Sequence, residues 1–198
     1  MSTEQIENKT NQKNNLLNIS SFFIENREKS NEDIETTSTD SDVSFNGFSI
    51  IAKIASILDI IVARNEEENS ENSQFHYEGS LFAHKKIPKI SIEDYLNRIQ
   101  KYSKLEDSTL VIALIYIDRL LSNQNIELSK YNVHRILLAA ILAAIKYNED
   151  EIYDNYSFAK IFAVSSKELN KLENKFLDLI EFKLFVSDEI FQLYYDKI

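Results

Sequence analysis

The chain has 198 residues of which 43% are hydrophobic, enough for one domain with a sizeable core and a polar arm. It has no Cys, which excludes disulfides, thiolate metal sites and Cys nucleophiles, and its only glycines, Gly47 and Gly79, exclude a glycine-rich phosphate cradle. A net charge of −10 without any basic helical stripe argues against nucleic acid, whose phosphates need a basic footprint.

Residues 1–45 are acidic and rich in Asn, Ser, Thr and Glu, with the low-complexity piece Glu35 to Asp42. They read as a disordered arm, in which Leu16 to Ile24 is either a short apolar anchor or a chance hydrophobic run in a floppy tail. The N-terminus lacks a basic start and an apolar run, so no signal peptide is read and the cytosol or nucleus is expected. The folded domain is expected over 46–198.

In Phe48 to Arg64 the residues Ile50, Ile51, Ile54, Ile57, Leu58 and Ile61 recur at helical spacing, with Lys53 and Arg64 opposite. This predicts an amphipathic helix, followed by a polar loop from Asn65 to Ser80. After Pro88, the capping box Ser91 to Asp94 opens a helix to about Tyr102, with Ile92, Tyr95, Leu96 and Ile99 inward. Asp107 is placed as the cap of a helix from Ser108 to Leu121. Asn132 is placed as the cap of the next, from Val133 to Tyr147.

That helix contains ten unbroken apolar residues, Ile136 to Ile145. Being apolar all round, it must be enclosed by other elements, and it is too short for a bilayer, which needs about 20. A short helix is expected at Ser157 to Phe162, a longer one from the box Ser165 to Glu168 as far as about Ile180, and a last one from Ser187 through Tyr195. With no convincing strand, the fold class is all-α, built around the central apolar helix.

Misplaced charges carry the functional information. Glu173 lies on the apolar stripe of Leu169, Phe176, Leu177 and Ile180, where an unpaired carboxylate is costly. It needs a cation or an interface; a salt bridge to Lys146 at the core edge is the plainer account. Asp118 sits on a nearly all-apolar helix, and Arg98 is its expected partner, although Arg98 could equally pair with Asp94 one turn away. Lys146 either complements the C-terminal dipole of the central helix or serves a partner.

The segments Tyr116 to Leu121, Asn132 to Leu138, Ala144 to Tyr147 and Glu168 to Glu173 resemble a cyclin box, and Pro88 to Ile99 with Tyr102 resembles the P/U-type, phosphate-pathway class. The resemblance implies a single-box, five-helix bundle with its core at about 91–182, preceded by an extra amphipathic helix and followed by a short C-terminal one. It implies a non-catalytic subunit that binds and activates a cyclin-dependent protein kinase by taking up the mobile helix of the kinase N-lobe. Lys146, Tyr147, Glu173, Leu177 and Phe182 would form that surface, and Arg98 with Asp118 a structural ion pair. No cofactor, metal, nucleic acid, membrane or small-molecule substrate is implied.

Two departures stand out. Phe162-Ala163 replaces the glycine pair usual in this class, and the first box helix lacks the Met-Arg-Ala-Ile-Leu motif, so the substrate-docking groove of cell-cycle cyclins is not expected. With the box core expected to end at about residue 182, no second box is expected. The rival reading is a cyclin-fold scaffold or transcription-associated module that does not act on a kinase. The acidic run Glu149, Asp150, Glu151 with Asp154 lacks the glycine turn of a calcium loop and reads as a solvated loop rather than an enzyme site.

Overall fold

The computed structural model of the protein describes residues 19–24, 48–68, 80–124, 126–150 and 153–198. Every regular element among them is helical: α1 (19–24), α2 (Ile50–Glu68), α3 (Ile92–Ser103), α4 (Asp107–Asn123), α5 (Val133–Asn148), α6 (Asn155–Phe162), α7 (Ser166–Leu179) and α8 (Asp188–Tyr195). Helix α5 is the centre. Its residues Ile136 to Ile145 are all at most 3% exposed, and α4 and α7 are its main neighbours. Around it, α3 packs on α2 and α6, and α8 on α4. The expected bundle of five helices, here α3 to α7, is present around its apolar axis.

Most helix starts are set by side chains. Ser91 Oγ accepts from Asp94 N at 3.0 Å and donates to its carboxylate at 2.8 Å, Asp154 accepts from Ser157 N at 2.8 Å, and Ser165 Oγ from Glu168 N at 3.1 Å. Asp154 thereby starts α6 two residues before the expected Ser157. Two expected caps are spent elsewhere. Asn132 turns away from α5, accepting from Ser129 N at 2.9 Å and donating to Glu127 O at 2.7 Å, which knits the 126–132 linker. Asp107 lies within α4 and accepts from Gln100 Nε2 at 3.0 Å, clamping α3 to α4.

Helix α2 runs four residues past Arg64. Asn65, expected in a loop, is buried and donates to Leu128 O at 3.0 Å, and Glu66 pairs with Lys130 at 2.6 Å, so the same linker holds this extra turn. The remainder of the expected loop, 69–79, lies outside the described residues.

The N-terminal arm divides. Residues 1–18 and 25–47 are outside the described residues, but 19–24 form α1, docked into the core by Ile19, Phe22 and Phe23, which are at most 8% exposed. Thus residues 19–24 dock on the core and do not belong to a disordered arm as expected for 1–45; Leu16 and Leu17 of the apolar run lie outside the described residues. Arg64 lies over the Phe22 ring at 5.5 Å and Lys197 over Phe23 at 5.2 Å.

This docking overturns the expected Arg98–Asp118 pair. Asp118 Oδ1 accepts from Ser20 N at 3.1 Å, while Oδ2 accepts from Ser20 Oγ and from Tyr194 OH, both at 2.5 Å. Its carboxylate therefore joins α1, α4 and α8. Arg98 instead donates to Lys160 O at 3.3 Å, tying α3 to the end of α6. The pairing failed because the partners of Asp118 come from the two ends of the chain, which helical spacing within the box cannot reveal. Tyr194 is held in its protonated form, chiefly by burial and then by the adjacent carboxylate, as a hydrogen-bond donor must be.

The glycine-pair departure has a concrete cost. Ala163 takes the left-handed conformation, φ 57° and ψ 40°, at the C-terminus of α6, where its N–H reaches Lys160 O. A Cβ is unfavourable there by roughly 1–2 kcal/mol, which glycine avoids.

Two stability measurements follow from these contacts. Asp118→Ala removes three charge-assisted hydrogen bonds at a buried point and is expected to cost at least about 2–3 kcal/mol in urea unfolding, with Arg98→Ala below about 1 kcal/mol. The reverse order would show that the carboxylate is not the hub described. Ala163→Gly is expected to raise stability by up to about 1 kcal/mol, the released strain exceeding the added chain entropy; a loss of stability would mean that the methyl group contributes packing.

Candidate protein-docking site

The last turn of α5 and the middle of α7 bring two misplaced charges together. Lys146, in the last turn of α5, meets Glu173 with Nζ to Oε1 at 2.6 Å. The pair is asymmetric: the Glu173 side chain is 10% exposed and that of Lys146 33%. Glu173 Oε2 also accepts from Asn155 Nδ2 at 3.1 Å, and Asn155 donates to Asn170 Oδ1 at 2.7 Å. The carboxylate is thus satisfied from α5 and α6 while lying on the buried stripe of α7, which answers the desolvation cost that its position incurs. Lys146 keeps donors to spare, since an ammonium carries three.

Tyr147, beside Lys146, is half exposed, and Phe182, just after α7, is 62% exposed. Both line one open cleft with Leu184 and Phe185. Leu177 is half-buried against the core. Tyr147 and Phe182 are brought to one cleft, Lys146 and Glu173 to one ion pair, and Leu177 serves the core as much as the surface.

The cleft depends on residues that sequence reasoning passed over. Arg119 donates to Lys183 O at 2.6 Å and to Phe185 O at 2.9 Å, and Tyr116 OH donates to Leu184 O at 2.6 Å. Together they pin the segment after α7 onto α4. That segment turns through two successive left-handed residues, Glu181 at φ 55° and Phe182 at φ 53°, which end α7 and carry the Phe182 ring outward. Arg119 was visible as part of the Tyr116 to Leu121 motif, but the carbonyls it serves lie some sixty residues away in the chain. At the opposite end of α5, Arg135 is joined to Glu168 of α7 and to Ala83 O at 2.5 Å. Glu168 is thereby diverted from its expected part in the Ser165 capping box.

The other candidates are plain. Glu149 accepts from Thr109 Oγ1 at 2.9 Å and Asp154 caps α6, so both serve the fold. No cluster of metal-ligating residues occurs among the described residues. No helix among them is long and apolar enough to cross a membrane.

The described residues form a single helical box around a buried central helix, with exposed aromatics where that helix ends. The cyclin family model matches residues 48–184, and this chain belongs to the cyclin family, in its P/U-type class. It is 38% identical over 146 residues to cyclin-U2-1 of Arabidopsis thaliana, covering 73% of this chain and 65% of that protein. It is 32% identical over 145 residues to cyclin-P3-1 of Oryza sativa subsp. japonica (73% and 61%), and 32% identical over 165 residues to PHO85 cyclin-7 of Saccharomyces cerevisiae (73% and 58%). The chain therefore spans somewhat less than two thirds of the length of these relatives.

The asymmetry of the ion pair is testable without a partner. Lys146→Ala leaves the buried Glu173 carboxylate with Asn155 alone and is expected to cost about 1–2 kcal/mol, below the fully buried range because Lys146 is a third exposed. Adding Glu173→Gln is expected to recover part of that loss in urea unfolding, and strict additivity of the two substitutions would show that they are not coupled.

Proposed function

We propose that the protein is a non-catalytic regulatory subunit that binds a cyclin-dependent protein kinase and places the mobile helix of the kinase N-lobe. The observation that carries this reading is the Lys146–Glu173 pair, at the junction of the third and fifth box helices α5 and α7. Those are the helices, and the two residue types, through which the cyclin resemblance implies contact with a kinase. The relatives PHO85 cyclin-7 of Saccharomyces cerevisiae and PHO85 cyclin-like protein psl1 of Schizosaccharomyces pombe support the same reading.

In this mechanism the protein performs no chemistry. A kinase whose glutamate-bearing helix is swung out lacks the Lys–Glu ion pair that aligns the phosphates of its nucleotide. A surface that binds only the inward state shifts the population toward it. Moving that equilibrium from about 1:99 to 99:1 takes about 5.5 kcal/mol of differential binding, which a few desolvated aromatic contacts can supply. Tyr147, Phe182 and Leu177 would provide the apolar part. Lys146 would offer its spare donors to the partner, and Glu173, deeper and already bonded to α6, would act mainly by holding that ammonium in place.

The test compares the wild type with Lys146→Ala/Glu173→Ala for binding and activation of cyclin-dependent kinases from the same cell, with folding checked by circular dichroism. The expected outcome is activation by the wild type and loss by the folded double variant. Equal binding by both would make the pair structural and place the kinase surface elsewhere. A wild type that activates none of the kinases would favour the rival reading of a cyclin-fold scaffold.

A further inference from the structure

On α3 and α6, helices not assigned to the kinase face, lies a second cleft of about 610 Å³, lined by Asn97, Arg98, Lys101, Tyr102, Lys160 and Ile161. In a chain of net charge −10, three of these six residues are cations and none is acidic. Arg98, Lys101 and Lys160 form no ion pair among the described residues. Arg98 donates to the Lys160 carbonyl, Lys160 Nζ sits 4.1 Å from the Tyr156 ring centre, and Lys101 Nζ 5.5 Å from that of Tyr102. Of the nearby carboxylates, Asp94, one turn from Arg98, takes up the Ser91 hydroxyl, and Asp154, within electrostatic reach of Lys160, caps α6.

Several observations point to a ligand. The cleft has the volume of a ligand site. Its three cations line one concave place, where an incoming anion is attracted. Cation–π contacts with rings hold the two lysines without neutralising them. The cleft is also built and not a chance gap: the Arg98 bond to Lys160 O and the Tyr95 OH bond to Phe162 O at 3.2 Å fix α3 on α6. Tyr102 and Tyr156, 58% and 61% exposed, add aromatic surface beside the charges.

We propose that this cleft docks an acidic peptide segment of a partner protein, its carboxylates paired with Arg98, Lys101 and Lys160 and its apolar side chains against Tyr102 and Ile161. Nucleic acid fits less well, because a phosphate backbone needs a basic track well beyond one cleft. The proposal is independent of the kinase reading, since the cleft uses none of the residues assigned to that face.

The test uses the full chain and a short fluorescein-labelled Glu/Asp-rich peptide, followed by fluorescence anisotropy at low ionic strength. The expected result is salt-sensitive binding that weakens roughly tenfold or more in Lys101→Glu/Lys160→Glu and changes less than about twofold in Lys85→Glu/Lys86→Glu, which makes the same charge change elsewhere. The milder Lys101→Gln/Lys160→Gln, with less effect on folding, is expected to give an intermediate loss. Absence of peptide binding, an equal loss in both charge-reversed variants, or tighter binding of a single-stranded oligonucleotide of similar charge would overturn the proposal.

Discussion

Ten consecutive apolar residues on one helix impose a single demand: every side of that helix must be covered. Helix α5 meets it with residues Ile136 to Ile145 all essentially removed from water, and each large side chain so buried contributes roughly 1.5–3 kcal/mol. Because α5 has no solvent face, it must be enclosed: the nearly all-apolar α4 and the amphipathic α7 are its main neighbours, and α3 joins the bundle through α2 and α6. Only the ends of such a helix can meet a partner. That is why Lys146 and Tyr147, in its last turn, are the residues that emerge.

Where the bundle is closed, polar side chains decide the geometry. Asp118 is the clearest case, a single buried carboxylate that binds α1 and α8 to α4 through three hydrogen bonds. The next residue, Arg119, faces the segment after α7 and fixes its backbone by two more. Two adjacent residues thus anchor the ends of the described chain on one side and the aromatic cleft on the other. The Arg135 clamp does the same between α5, α7 and the stretch before α3. In each case a charged side chain reaches main-chain, hydroxyl or carboxylate groups on another element, which constrains direction.

The two surfaces follow this division. The Lys146–Glu173 pair sits where the last turn of α5 meets the middle of α7, bonded to α6 through Asn155, while the basic cleft lies between α3 and α6. Helix α6 thus contributes to both surfaces. Its short length and its strained exit at Ala163 follow from needing to turn back quickly toward α7.

Sequence alone determined the helical class, the central position of α5, the inward stripes of its neighbours and most of the caps, because these rest on local spacing and on interactions within one turn. It also identified Glu173 and Asp118 as charges needing an explanation, since a carboxylate among apolar neighbours is conspicuous at helical periodicity. Only the tertiary structure decided what each one touches. The Lys146–Glu173 contact was open beside other readings, and the Asp118 partners turned out to be Ser20 and Tyr194, separated from it by 98 and 76 residues. The same limit hid the turn of Asn132 toward the linker, the diversion of Glu168 to Arg135, and the cleft whose cations come from two different helices. Periodicity reports which face a residue occupies; which other face it meets is set by how the helices close around α5.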